Sequence, residues 1–100
     1  MRRASEANPC MSIELPRAHE VVTSVFYEIR IAAENAARVE VSIDGSVWLP
    51  CRCGHDYWWY EWSDYRPGDH QIRAQARGSD GEVLGFETRP VVAKFDLTVH

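Results

Sequence analysis

The sequence has no apolar run near the roughly 20 residues that a membrane-crossing helix needs, so helical membrane insertion is not expected. No apolar stretch follows the opening Met1-Arg2-Arg3-Ala4-Ser5, which excludes a secretory signal there. Basic charge is not in excess either. Eleven Lys and Arg stand against 15 Asp and Glu, a net charge of -4, and this balance gives no electrostatic footprint for nucleic acid or an anionic membrane surface. Cysteine is scarce, at three residues. An odd count leaves one thiol unpaired in a monomer, which points to a reducing compartment. The expected location is cytoplasmic, unless a targeting segment lies outside this sequence. Catalytic fingerprints are missing as well. His19, His55, His70 and His100 are scattered, with no spacing that ties them to a Ser or Cys nucleophile, and there is no phosphate loop, dinucleotide turn or H-E-x-x-H helix. The expectation is a protein that is not an enzyme.

What is present is enough for one self-standing fold. A chain of 100 residues, 45% hydrophobic and 26% charged, has an ordinary globular composition. At this size about 65% of the unfolded surface can be buried, so no metal or disulfide is obligatory. Residues 1–10 are polar, carry Pro9 and show no period; they read as a flexible lead-in to a single domain over 11–100.

From Met11 onward the dominant period is two, the signature of strands with one buried face. Met11-Ser12-Ile13-Glu14-Leu15 alternates and stops at Pro16, as an edge strand does. Val25, Tyr27, Ile29 and Ile31 share one face of a longer strand. Val39, Val41 and Ile43 share another, which ends at the tight-turn pair Asp44-Gly45 and returns through Val47-Trp48-Leu49. An aromatic strand, Tyr57 to Trp62, follows. Ile72, Ala74 and Ala76 then alternate with Gln71, Arg73, Gln75 and Arg77. Past Ser79-Asp80-Gly81 comes Val83 to Glu87; Pro90 then interrupts, and Val91 to Val99 supplies a last strand or a continuation of the same edge. The alanine-rich Ile31–Ala37 is too short for a helix between two strands. About seven strands with regular turn signals predict an all-β, two-sheet antiparallel sandwich.

One string of motifs carries a resemblance. Val39-Glu40-Val41-Ser42-Ile43-Asp44-Gly45, then Val47-Trp48, then Trp58-Trp59-Tyr60-Glu61-Trp62, lead into Pro67-Gly68-Asp69-His70-Gln71-Ile72-Arg73-Ala74-Gln75-Ala76-Arg77 and Asp80-Gly81. The string resembles the immunoglobulin-like (E-set) domain that follows the molybdopterin domain in sulfite oxidase-like enzymes. It is also similar to bacterial immunoglobulin-like and fibronectin type III-like modules. The resemblance implies an immunoglobulin-like β-sandwich and, from the sulfite oxidase-like family, a role in dimerisation without metal-centre chemistry. The chain has no molybdopterin-binding domain, and its Cys51-Arg52-Cys53-Gly54-His55 insert departs from the pattern.

Two clusters are candidate sites. Cys51, Cys53 and His55 offer ligand types that suit zinc or copper(I), and Cys10 would make a fourth if the N-terminal arm packed nearby. A C-x-C with one His lacks the second ligand pair that makes zinc motifs specific, so two free thiols beside a histidine are the plainer reading and no cofactor is expected. A bridge from Cys10 to either cysteine stays open, whereas one between Cys51 and Cys53 would stretch disulfide geometry to its limit. In the aromatic strand, period two puts Trp58, Tyr60 and Trp62 on one face and Tyr57, Trp59 and Glu61 on the other. Trp58 and Trp62 are expected inward. That leaves Tyr57, Trp59, Glu61 and Tyr65 as a candidate binding surface for a protein partner or a second copy. Carbohydrate is the alternative ligand, with Glu61 and Asp64 taking hydroxyls, and it requires a coplanar ring pair among Tyr57, Trp59 and Tyr65. The Val91–Val99 strand is a second candidate contact, as a sheet edge. Arg30, Arg38, Arg73 and Arg77 with Glu28 and Glu40 are expected outward, in cross-strand charge pairs.

Overall fold

The computed structural model describes residues 11–63 and 65–95, so the lead-in over 1–10 lies outside the described residues. Nine strands are present among them: β1 (Met11–Leu15), β2 (Val21–Val22), β3 (Phe26–Ala33), β4 (Arg38–Ile43), β5 (Leu49–Pro50), β6 (Arg52–Gly54), β7 (Tyr57–Ser63), β8 (Gly68–Arg77) and β9 (Val83–Ala93). They form a four-stranded sheet in the order β1-β3-β7-β6 and a five-stranded sheet in the order β2-β9-β8-β4-β5. The all-β sandwich expected from the period is the observed fold, and no described residue is helical.

The period-two positions become the core because alternate side chains leave opposite faces of a strand. Ile29 and Ile31 of β3, Val39 and Val41 of β4, and Ile72, Ala74 and Ala76 of β8 are all completely buried between the sheets. Met11, Ile13, Val22, Trp62, Val91 and Ala93 complete the layer. Each fully buried Ile or Val side chain is worth roughly 1.5–3 kcal/mol against exposure. The turn after β4 is as the sequence predicts. Asp44 and Gly45 both take positive φ, 54° and 79°, and the Ser46 N–H donates to the Ile43 carbonyl at 3.0 Å. That is the geometry that an Asp-Gly pair favours in a two-residue hairpin.

Four expectations are corrected. The strands number nine rather than about seven, because the chain makes short pairings at β2 and β6 that carry almost no period. The return strand after Gly45 is Leu49–Pro50 only, with Val47 and Trp48 left exposed. The sandwich is not wholly antiparallel, since β2 pairs with β9 in parallel. Of the two readings past Pro90, continuation is the observed one: β9 runs through it, with Pro90 opposite Gln71. The Pro90 carbonyl accepts the His19 N–H at 2.8 Å on the side away from β8. Its imide nitrogen faces that same side, before β2 begins, so the missing donor breaks no ladder bond. For the same reason Val91–Ala93 is not a free edge but lies between β8 and β2; Asp96 to Val99 lie outside the described residues.

The chain changes sheets at one point that matters for both faces. β5 pairs with β4 in the five-stranded sheet, and two residues later β6 pairs with β7 in the four-stranded one. Cys51 sits at the crossing, with its N–H donating to the Val39 carbonyl at 2.9 Å.

Candidate functional site

The outer face of the four-stranded sheet carries the aromatic residues singled out from the sequence. Register sets them in rows. Arg30 of β3 and Arg52 of β6 flank Trp59 of β7, and one step along the strands Glu28 lies directly opposite Glu61. Trp59 is half-buried, its indole Nε1–H donating to the Gly54 carbonyl at 2.8 Å. Tyr57 meets Trp59 edge-on at 5.9 Å and 73°, and the Arg30 guanidinium lies 4.5 Å from the Tyr57 ring centroid. These contacts fix both rings before any partner arrives. Arg52 reaches across the face to Glu28 at 2.6 Å. Arg30 is served less well. Its nearest carboxylate, Glu14, is 3.9 Å away, and its buried Nε has no hydrogen-bond partner among the described residues. Glu61 is exposed and makes no ion pair among those residues.

Tyr65 does not belong to this surface. It is 8% exposed, stacked on Trp62 at 3.9 Å, and its hydroxyl donates to the Ser24 carbonyl at 2.5 Å. Burial pushes its phenol pKa up. It sits just after β7, where the chain turns toward β8 and the strand alternation no longer governs its direction. Trp62 is buried, as expected, while Trp58 and Tyr60 pack on the core with part of each ring in solvent.

The cysteine cluster is not gathered. Cys51 packs against the core at the sheet crossing, and burial, with Glu40 nearby, pushes its thiol pKa up to about 12. Cys53 is exposed on β6, and His55 is exposed in the β6–β7 turn with φ 51°. Among the described residues no three His, Cys, Asp or Glu side chains converge as metal ligands. Cys10 lies outside them.

Two features went unseen in the sequence. On the outer face of the five-stranded sheet, Trp48 and Phe86 approach edge-on at 6.4 Å. The Arg73 guanidinium lies 6.0 Å from the Trp48 ring centroid and 5.6 Å from that of Phe86. On the same face, outward Ser42 and Gln75 are only 2% and 6% exposed. Neither aromatic was a site candidate, because each is isolated in a run of mixed polarity.

The second feature is His70. Its Nδ1 faces Asp44 Oδ2 at 2.6 Å and its Nε2 faces the Arg66 carbonyl at 2.5 Å. Two acceptors on one ring favour the doubly protonated imidazolium. Burial opposes that charge, but the Arg66 carbonyl, Asp44 and Asp69 outweigh it, and the pKa is raised. Asp44 also accepts the Gln71 N–H at 2.8 Å. Beside this node, His19, Asp69, Pro90 and Val92 help to line a cleft of about 440 Å³.

No protein-family model and no curated protein matches the chain. Solved structures do. A fibronectin(III)-like module of CbhA from Clostridium thermocellum superposes with TM-score 0.71 at 22% identity, over 85% of this chain and 96% of that one. An endo-β-1,4-mannanase from Thermotoga petrophila matches with TM-score 0.71 at 10% identity, over 87% of this chain but 20% of the enzyme. An engineered protein matches with TM-score 0.70 at 23% identity, over 90% of this chain and 21% of that one. At these identities the likeness establishes the fold. The chain is an immunoglobulin-like, fibronectin type III-like β-sandwich.

Proposed function

We propose that the chain is a non-catalytic association module whose outer four-stranded face pairs with a second copy of itself. The observation that carries this reading is the adjacency of two rows of opposite charge around Trp59. Arg30 and Arg52 form one row, and Glu28 and Glu61 form the next. Two carboxylates directly opposite each other on a sheet repel unless cations serve them, and Arg52 serves Glu28 alone. A twofold axis in the plane of contact, running across the strands between the rows, would lay the arginine row of each copy over the glutamate row of the other. Such a self-complementary patch is what an isologous dimer requires. Trp, Tyr and Arg are also the residue types that dominate association energies.

The test is solution mass by sedimentation over a concentration series. A dimer is expected that weakens as salt rises, since exposed ion pairs are screened. Glu61→Arg and Trp59→Ala should each return it to monomer. A wild-type chain that stays monomeric at every concentration, or a Glu61→Arg variant that keeps the dimer mass, would overturn the reading. The match to a mannanase motivates a carbohydrate reading. That reading needs coplanar rings, whereas Tyr57 and Trp59 stand at 73° and Tyr65 is buried. Titration with soluble β-1,4-mannan oligosaccharides, followed by tryptophan fluorescence, should therefore give no saturable change.

A further inference from the structure

From the opposite side of the sandwich we infer a second docking surface, built on Trp48, Arg73 and Phe86, whose occupant is an extended acidic segment of another protein. Arg73 sits on β8 among the outward rows of β4 and β8 that also hold Arg38, Arg77 and two carboxylates, Glu40 and, four residues before Arg73, Asp69. Glu40 is already in use. It accepts Gln75 Nε2 at 2.9 Å and Arg77 Nε at 3.1 Å, and Arg38 Nε lies 3.7 Å away. Arg73 makes no ion pair among the described residues; the two rings lie against it, and its cross-strand neighbours are the neutral Ser42 and Thr88. The rows thus carry three guanidiniums against two carboxylates, of which the one amid the guanidiniums, Glu40, is occupied, in a chain whose net charge is -4.

The apolar part of the patch is exposed as well. Val47 is 73% exposed, Phe86 41% and Trp48 36%. A guanidinium packed on aromatic faces keeps its N–H edge outward for a carboxylate, in the planar fork geometry that lysine lacks. An occupant that matches both halves alternates acidic and apolar side chains. Its carboxylate takes the Arg73 fork, and its apolar side chain lies on Val47, Trp48 and Phe86. The surface is independent of the association face described above, because Trp59 and Arg73 point away from each other on different sheets.

The test uses the full chain, isotope-labelled, and three capped pentapeptides that alternate Leu with Glu, Gln or Lys. Chemical shifts of the Trp48 and Trp59 indole N–H groups report the two faces separately. The Leu/Glu peptide is expected to move Trp48 and to bind at least about tenfold tighter than the Leu/Gln peptide, the scale of a charge-assisted bond. In Arg73→Gln this preference should vanish while the rest of the spectrum keeps its dispersion. Arg73→Lys, which keeps the charge, should recover only part of it. Equal binding of the Glu and Gln peptides, or an unchanged preference in Arg73→Gln, overturns the proposal. So does sodium acetate reproducing the Trp48 shift at matched carboxylate concentration, because a bare anion would then suffice. A response at Trp59 alone also overturns it and leaves the association face untouched.

Discussion

The Glu87 carboxylate accepts the backbone N–H of Ile13 at 2.8 Å, joining positions 74 residues apart. Ile13 belongs to β1, an edge of the four-stranded sheet, and Glu87 to β9 of the other sheet. Arg89 holds Glu87 in place at 2.7 Å and donates its Nη1–H to the Pro16 carbonyl at 2.9 Å. One ion pair therefore satisfies backbone groups that an edge would otherwise offer to a stray strand.

Glu87→Ala removes that acceptor and leaves Arg89 without its carboxylate. The expected loss is about 1–3 kcal/mol in urea unfolding, with a greater tendency to aggregate. Glu87→Gln, which still accepts the Ile13 N–H, should lose less. Equal stability of Glu87→Ala and wild type would contradict the capping role.

His70 predicts a pH dependence with a definite sign. Its pKa in the folded chain is raised above the ordinary 6.5, so folding favours the proton. The stabilisation is complete below about 6.5, the unfolded value, and is lost as pH climbs through the higher folded value. Unfolding free energy should fall across that window in wild type, and the His70 contribution to the slope should vanish in His70→Gln. A proton-resolved titration of the imidazole that gives an unraised pKa would refute the assignment.

Tyr65→Phe distinguishes a buried hydrogen bond from a surface aromatic. Removing the hydroxyl strands the Ser24 carbonyl and should cost about 1 kcal/mol, with no effect on association. Trp59→Ala should show the reverse balance, changing association more than stability. If Tyr65→Phe is as stable as wild type, its hydroxyl contributes nothing.

The two thiols should differ sharply in reactivity. With Cys51 pushed up to about 12, roughly one molecule in ten thousand carries its thiolate at pH 8. In a Cys10→Ser background, a thiol reagent at pH 8 should modify exposed Cys53 promptly and Cys51 only as the chain opens. Two equally fast thiols would show that Cys51 is not held in the core.

What the sequence made legible was whatever period two encodes. Alternation puts Ile29, Ile31, Val39, Val41, Ile72, Ala74 and Ala76 inward, and all seven are fully buried, whereas Val25, placed on the same face as Ile29, precedes β3 and is 59% exposed. Trp59 and Tyr57 were placed on the outer face by the same rule. Features that depend on the partner strand were not legible. Pro90 reads as a break unless it is known that its nitrogen faces an unpaired stretch. β2 and β5 are two residues each, too short to show a period. Tyr65 and Trp48 lie outside strands, where alternation says nothing about direction. Buried Tyr65 thus looked like surface, and the Trp48–Arg73–Phe86 group could not be assembled on paper.

The crossing at Cys51 also bears on how the protein acquires its shape. Strands of the two sheets interleave along the chain, with β1, β3, β6 and β7 in one and β2, β4, β5, β8 and β9 in the other. The four-stranded sheet has all its strands once β7 is made, but the five-stranded sheet that covers its apolar face still needs β8 and β9, so neither sheet has a closed core alone. Closing such non-local pairings slows folding relative to helical proteins of this length. The newborn chain therefore cannot shelter its core until β9 has left the ribosome, and folding and unfolding should each proceed as one concerted event.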